Sequence, residues 1–140
     1  MGCVQEDASR GPTLFEKKSS DSTGIAFANR LAESPDLNIV NYLYYYNGGG
    51  IAAGDLTGNG RPDLYFTANE KDNALYLNEG DFQFREATET AGVAGTADWT
   101  TGVTMADVNG DGRLDLYVSV VDGVEGLEGT NQLYINQGLN

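Results

Sequence analysis

The sequence predicts an all-β fold made of four-stranded antiparallel blades, about two repeats of them. Three observations carry that expectation. Sliding the chain along itself by 52 residues aligns 50–67 with 102–119, one blade-sized period. Each copy reads as strand, acidic turn, strand, loop, strand, in short β-favouring runs with no sustained 3.6-residue apolar period between caps. Glycine fills 19 of the 140 positions, well above the usual share of roughly 7%, as a chain with many tight turns requires.

The first copy is GIAAGDLTGNGRPDLYFT from Gly50 to Thr67, and the second is GVTMADVNGDGRLDLYVS from Gly102 to Ser119. A second matched block, NALYLNEG from Asn73 to Gly80 and NQLYINQG from Asn131 to Gly138, follows at an offset of 58. The extra residues of the second copy fall between matched strands and mark a surface loop. After the first copy, Phe82 to Thr88 alternates apolar and polar residues and supplies a fourth strand. Ahead of the repeats, Ile25 to Leu31 alternates like a half-buried strand, Ser34-Pro35-Asp36 forms a turn, and Asn38 to Tyr44 fits either an extended or a short helical lead-in. The organisation is then a flexible tether over 1–23, a lead-in over 24–49, a first repeat over 50–101 and a second, truncated repeat over 102–140.

Composition narrows the chemistry. The chain contains no His, which removes Ser-His-Asp triads, Cys-His dyads, His-ligated zinc and a His general base. Its net charge of −13 disfavours nucleic acid and anionic membranes and favours cations. Cys3 is the single cysteine, so no intrachain disulfide forms, and no apolar run approaches the roughly 18 residues of a membrane span. Gly2-Cys3 is similar to the junction of a bacterial lipoprotein signal with the cysteine that becomes lipidated, which makes Cys3 the candidate lipidation site.

Numbered from its first Asp, each acidic turn places oxygen-bearing side chains at positions 1, 3, 5 and 9. These are Asp55, Thr57, Asn59 and Asp63 in the first turn, and Asp107, Asn109, Asp111 and Asp115 in the second. Position 7, Arg61 or Arg113, can add a backbone carbonyl, and Gly60 or Gly112 at position 6 permits the bend. Hard oxygens aimed at one point from a tight loop suit calcium better than magnesium, which keeps a rigid octahedron with several waters. Position 12, a bidentate Glu in an EF-hand, is Phe66 or Val118 here, and β-favouring residues follow in place of a helix. Three carboxylates in the second loop against two in the first predict two calcium sites, the second tighter. The competing structure is a pair of Asx-turns whose side chains cap backbone N–H groups without metal.

These loops, with the downstream N-x-L-Y-x-N and the 52-residue period, resemble the FG-GAP/VCBS repeats of bacterial surface proteins, related to the calcium-bearing blades of integrin α-chain β-propellers. Tyr46 to Gly50, and Ala91 to Gly95 running on to Trp99, extend the likeness to roughly residues 24–140. The resemblance implies a propeller blade with one calcium loop between its first two strands, on cell-surface, outer-membrane or secreted proteins that bind proteins or glycans. Two blades fall short of the four or so that a closed propeller needs, so the remaining blades are expected in the same chain or in an oligomer.

The expected function is therefore a non-catalytic, calcium-binding propeller segment. Its alternatives are the scaffold of a larger surface enzyme acting on polysaccharide and a metal-free all-β interaction module. Tyr42, Tyr44, Tyr45 and Tyr46 read as blade-edge packing or a glycan-stacking platform, and Trp99, Tyr65 and Tyr117 as core or blade-contact residues.

Overall fold

A computed structural model describes residue 11 and residues 13–138; Cys3 and the first part of the expected tether, 1–10, lie outside the described residues. The fold is all-β. β1 (Ile51–Gly54), β2 (Asp63–Phe66), β3 (Ala74–Gly80) and β4 (Gln83–Glu86) form one antiparallel sheet in sequence order. β5 (Thr100–Ala106), β6 (Asp115–Val120) and β7 (Gln132–Tyr134) form a second, three-stranded one. Two one-turn helices, α1 (Ser20–Thr23) and α2 (Thr88–Ala91), complete the regular elements among the described residues.

The two sheets share one register. Leu64 pairs with Tyr76 and Tyr65 with Leu75 in the first, and Leu116 pairs with Tyr134 and Tyr117 with Leu133 in the second. Because side chains alternate between faces, each sheet has two unlike faces, one carrying Tyr65 and Leu75 or their counterparts, the other Leu64 and Phe66 or theirs. The faces stack head to tail. Tyr65, Leu75, Ala87 and Val93 of the first blade pack on Leu116 and Val118 of the second, with Val103, Met105 and Tyr134 closing the cluster. The Tyr65 hydroxyl donates to the Val93 carbonyl at 2.7 Å, so the ring is buried without orphaning its polar end. The strands β1 and β5 meet closely enough that a Cβ on Gly54 would lie 2.8 Å from both Met105 Sδ and Leu114 Cδ1.

The same stacking leaves one face over. Tyr117 and Leu133 correspond to Tyr65 and Leu75, yet they are 41% and 52% exposed where their counterparts are buried at 0% and 4%. A second cluster seats Trp99 against Tyr42 and Tyr45, at ring separations of 5.6 and 5.4 Å, with Leu127 behind. The tyrosine run thus divides: Tyr42 and Tyr45 are packing residues, while Tyr44 and Tyr46 face solvent.

Ile25 to Leu31 alternates in burial as expected of a half-buried strand but joins no sheet among the described residues. It lies instead across the first blade on the Phe66 face, where Phe27 stacks on Phe66 at 5.0 Å and lies under the Lys71 ammonium at 4.5 Å. Asn29 and Asn69 exchange two hydrogen bonds at 2.6 and 3.1 Å, and the Ala32 N–H donates to Glu70. Asn38 to Tyr44 forms hydrogen-bonded turns, with the Tyr42 N–H reaching the Asn38 carbonyl.

Replacing Tyr65 by Phe should cost about 1 kcal/mol by orphaning the Val93 carbonyl, and Tyr65→Ala about 3–5 kcal/mol by opening the inter-blade core. Urea denaturation measures both; equal costs would place the stabilisation in the hydroxyl and not in the packing.

Candidate metal centre

Both acidic turns join the first strand of a blade to the second, and both are built alike. Gly60 and Gly112 adopt φ of +79° and +85°, the left-handed bend that position 6 requires. The position-1 carboxylate gathers the N–H groups of its own turn. Asp55 accepts from Asn59 at 3.0 Å and Gly60 at 2.7 Å, and Asp107 from Gly110, Asp111 and Gly112 at 2.7, 3.2 and 2.8 Å. Asn59 and Asp111 at position 5 each accept the N–H of the following arginine at 2.9 Å. The Gly60 N–H above all holds the Asp55 carboxyl below the ordinary aspartate value, and the Arg113 N–H does the same for Asp111.

Position 9 works differently. Asp63 and Asp115 are 0% and 1% exposed, and each carboxylate grips two separate segments. One oxygen accepts the N–H that opens the turn, from Leu56 or Val108, at 3.0 Å in both blades. The other accepts from the third strand segment, from Asn78 or Asn136, at 2.8 Å in both. Arg61 and Arg113 reinforce the same junction through their side chains, Nε donating to the carbonyls of Asn78 and Asn136 at 3.0 and 2.9 Å. The Asn136 amide then reaches across to the Leu56 carbonyl of the first blade at 2.8 Å, tying the two turns together. Asn78 and Asn136 were absent from the predicted ligand set, although they end the repeated N-x-L-Y-x-N motif, the signal that could have found them.

The donor set fits a hard cation in kind: every side chain at positions 1, 3, 5 and 9 offers oxygen, and Asp63 and Asp115 each keep acceptor positions beyond their two N–H partners. Among the described residues, no three Asp, Glu, Cys or His side chains converge as a metal-holding group. Asp111 turns its second oxygen to Arg113 Nη2 at 2.6 Å and to the Asn109 amide, so this carboxylate would have to swing inward to join a cage.

The buried position-9 carboxylates predict a sharp contrast in chelator. Asp115→Ala orphans two backbone donors and should cost about 3 kcal/mol, while Asp111→Ala, on the loop surface, should cost clearly less. Chemical denaturation of the two variants decides; comparable losses would contradict the division of labour between positions 5 and 9.

A family model for the FG-GAP-like repeat matches residues 55–118, a span that runs from the first Asp of one turn through the whole of the other. The chain is 31% identical over 103 residues to cartilage acidic protein 1 of Xenopus tropicalis, covering 74% of this chain and 15% of that protein. It is 32% identical over 72 residues to cartilage acidic protein 1 of Homo sapiens, covering 51% of this chain and 11% of that one. The chain therefore spans a small part of the length of these relatives. No solved structure matches. The matched span is similar to an FG-GAP-like repeat and holds both position-9 carboxylates, Asp63 and Asp115, together with the buried residues of the inter-blade cluster from Tyr65 to Val118.

Proposed function

We propose that this chain is a non-catalytic, calcium-stabilised propeller segment of a surface-anchored or secreted protein that binds a protein or a glycan. The observation that carries the reading is the pair of equivalent turns, each offering only oxygen donors at positions 1, 3, 5 and 9 and each locked to its third strand segment by a buried carboxylate. In the second turn Asp107, Asn109, Asp111 and Asp115 would hold calcium, with the Arg113 carbonyl; in the first, Asp55, Thr57, Asn59 and Asp63, with the Arg61 carbonyl. Bound calcium neutralises the loop carboxylates and fixes the turn, and its binding free energy adds to the stability of the folded state. The exposed Tyr117 and Leu133 face is where a further blade, in the same chain or in an oligomer, would pack, because their counterparts Tyr65 and Leu75 are covered in that way. Anchoring falls to Cys3 as the lipidated residue of a bacterial-type surface lipoprotein, consistent with a negative net charge that does not itself attract anionic membranes.

Thermal melts in excess chelator, in millimolar calcium and in millimolar magnesium test the reading. Calcium should raise the melting temperature and magnesium should not, and Asp111→Ala should remove most of the calcium-dependent shift while Asn59→Ala removes the smaller part. No shift with either ion would leave both turns closed by their own N–H groups and reduce the chain to a metal-free interaction module.

A further inference from the structure

Asparagine followed by glycine occurs three times in the chain, at Asn47-Gly48, Asn59-Gly60 and Asn109-Gly110. The pair is chemically labile, because glycine has no side chain to keep its backbone nitrogen away from the side-chain carbon of the asparagine. Several features that govern this reactivity are the same at all three sites. Each asparagine is exposed, the three glycines share one left-handed backbone at φ +79°, +79° and +78°, and a Cβ on any of them would meet open space.

The hydrogen bonds are not the same. In the first acidic turn the Gly60 N–H donates to Asp55 Oδ2 at 2.7 Å, and Asn59 Oδ1 accepts the Arg61 N–H at 2.9 Å. In the second the Gly110 N–H donates to Asp107 Oδ1 at 2.7 Å, while Asn109 Oδ1 accepts the Asp111 N–H and Asn109 Nδ2 donates to the Asp111 carboxylate, both at 3.0 Å. Both turns therefore fasten the attacking nitrogen and the side chain it would attack to other partners. At the third site the bonds run elsewhere: the Asn47 backbone N–H donates to the Tyr44 carbonyl at 3.0 Å, and the Gly48 carbonyl accepts from Asn69 Nδ2 at 3.4 Å. Neither the Gly48 N–H nor the Asn47 side chain has a hydrogen-bond partner among the described residues.

We propose that Asn47 is a site of spontaneous conversion to aspartate and isoaspartate in the folded protein, and that Asp55 and Asp107 shield the equivalent pairs in the two turns. The Gly48 nitrogen attacks Asn47 Cγ; the N–Cγ bond forms, the Cγ–Nδ2 bond breaks, and the side-chain nitrogen leaves as ammonia with the backbone amide proton. Water then opens the cyclic imide, so water is the only co-reactant and nothing is oxidised or reduced. Opening at Cγ gives aspartate, and opening at the other carbonyl routes the chain through the side chain and lengthens the backbone by a methylene. That lengthening falls where the lead-in joins β1, just ahead of Gly49, which packs too closely on the Thr67 carbonyl to admit a Cβ. The new carboxylate enters a cleft lined by Tyr42, Tyr44 and Trp99.

Storage of the full chain in mildly alkaline buffer, followed by fragmentation mass spectrometry and enzymatic methylation of isoaspartate, reads the conversion at each asparagine. Excess chelator throughout makes the outcome independent of calcium. Asn47 should convert at least about tenfold faster than Asn59 or Asn109, the factor that one hydrogen bond to a charged acceptor supplies, and in concentrated guanidinium the three rates should come together. Asp55→Ala should release Asn59 and leave Asn109 shielded. Asp55→Asn, which keeps one acceptor oxygen and disturbs the turn less, should release Asn59 by a smaller factor, and it decides the matter if the alanine variant does not fold. Equal rates at the three sites in the folded protein, a difference that persists in guanidinium, or an Asn59 rate unmoved by the folded Asp55 variant would overturn the proposal.

Discussion

The fold depends on one carboxylate per blade held out of water by two backbone N–H groups. A buried carboxylate costs several kcal/mol if left alone, and Asp63 and Asp115 are tolerable only because each oxygen receives a donor from a different segment. The same requirement makes them useful. A turn that could otherwise flex is pinned at its opening residue and at the third strand segment simultaneously, so hairpin and sheet form as one unit. The distances of 3.0 and 2.8 Å recur in both blades, although the intervening loops differ in length. The junction, and not the loop between, is the constant part of the repeat.

Stacking follows from the geometry that this junction fixes. Once register is set, every blade must show unlike faces, and the aromatic-aliphatic face of one blade is complementary to the aliphatic face of the next. Such an interface does not close on itself and continues wherever an uncovered face remains. At one end of this chain that face is partly covered by Phe27 and its neighbours, and at the other Tyr117 and Leu133 stay in solvent. The asymmetry is chemical as well as positional, since the covering segment is held by Asn69, Glu70 and Lys71, residues of the loop between β2 and β3.

Much of this was legible in advance. The 52-residue period located both turns and both strand pairs, because period-2 patterning and a glycine at position 6 leave few other solutions. The site was read less completely. Positions 1, 3, 5 and 9 were found as oxygen donors, but nothing in their spacing distinguishes Asp115, buried and shared between two segments, from Asp111, exposed and paired with Arg113. That distinction depends on where the third strand segment arrives, which is a tertiary fact. Ile25 to Leu31 was misread for a related reason: alternation reports an extended chain with one covered side, and a segment lying flat on a sheet satisfies it as well as one inside the ladder. The role of Tyr45 against Trp99, across 54 residues of sequence, had no local signal at all.

Amide hydrogen exchange tests the central constraint directly. If the buried carboxylates hold the blades together, the N–H groups of Leu56, Asn78, Val108 and Asn136 exchange only through global opening, at rates matching the slowest amides of β2 and β6, even though they lie at strand ends and turns. Exchange of these four amides at the rate of the exposed turn residues, while β2 and β6 remain protected, would show that the carboxylate junctions do not support the fold.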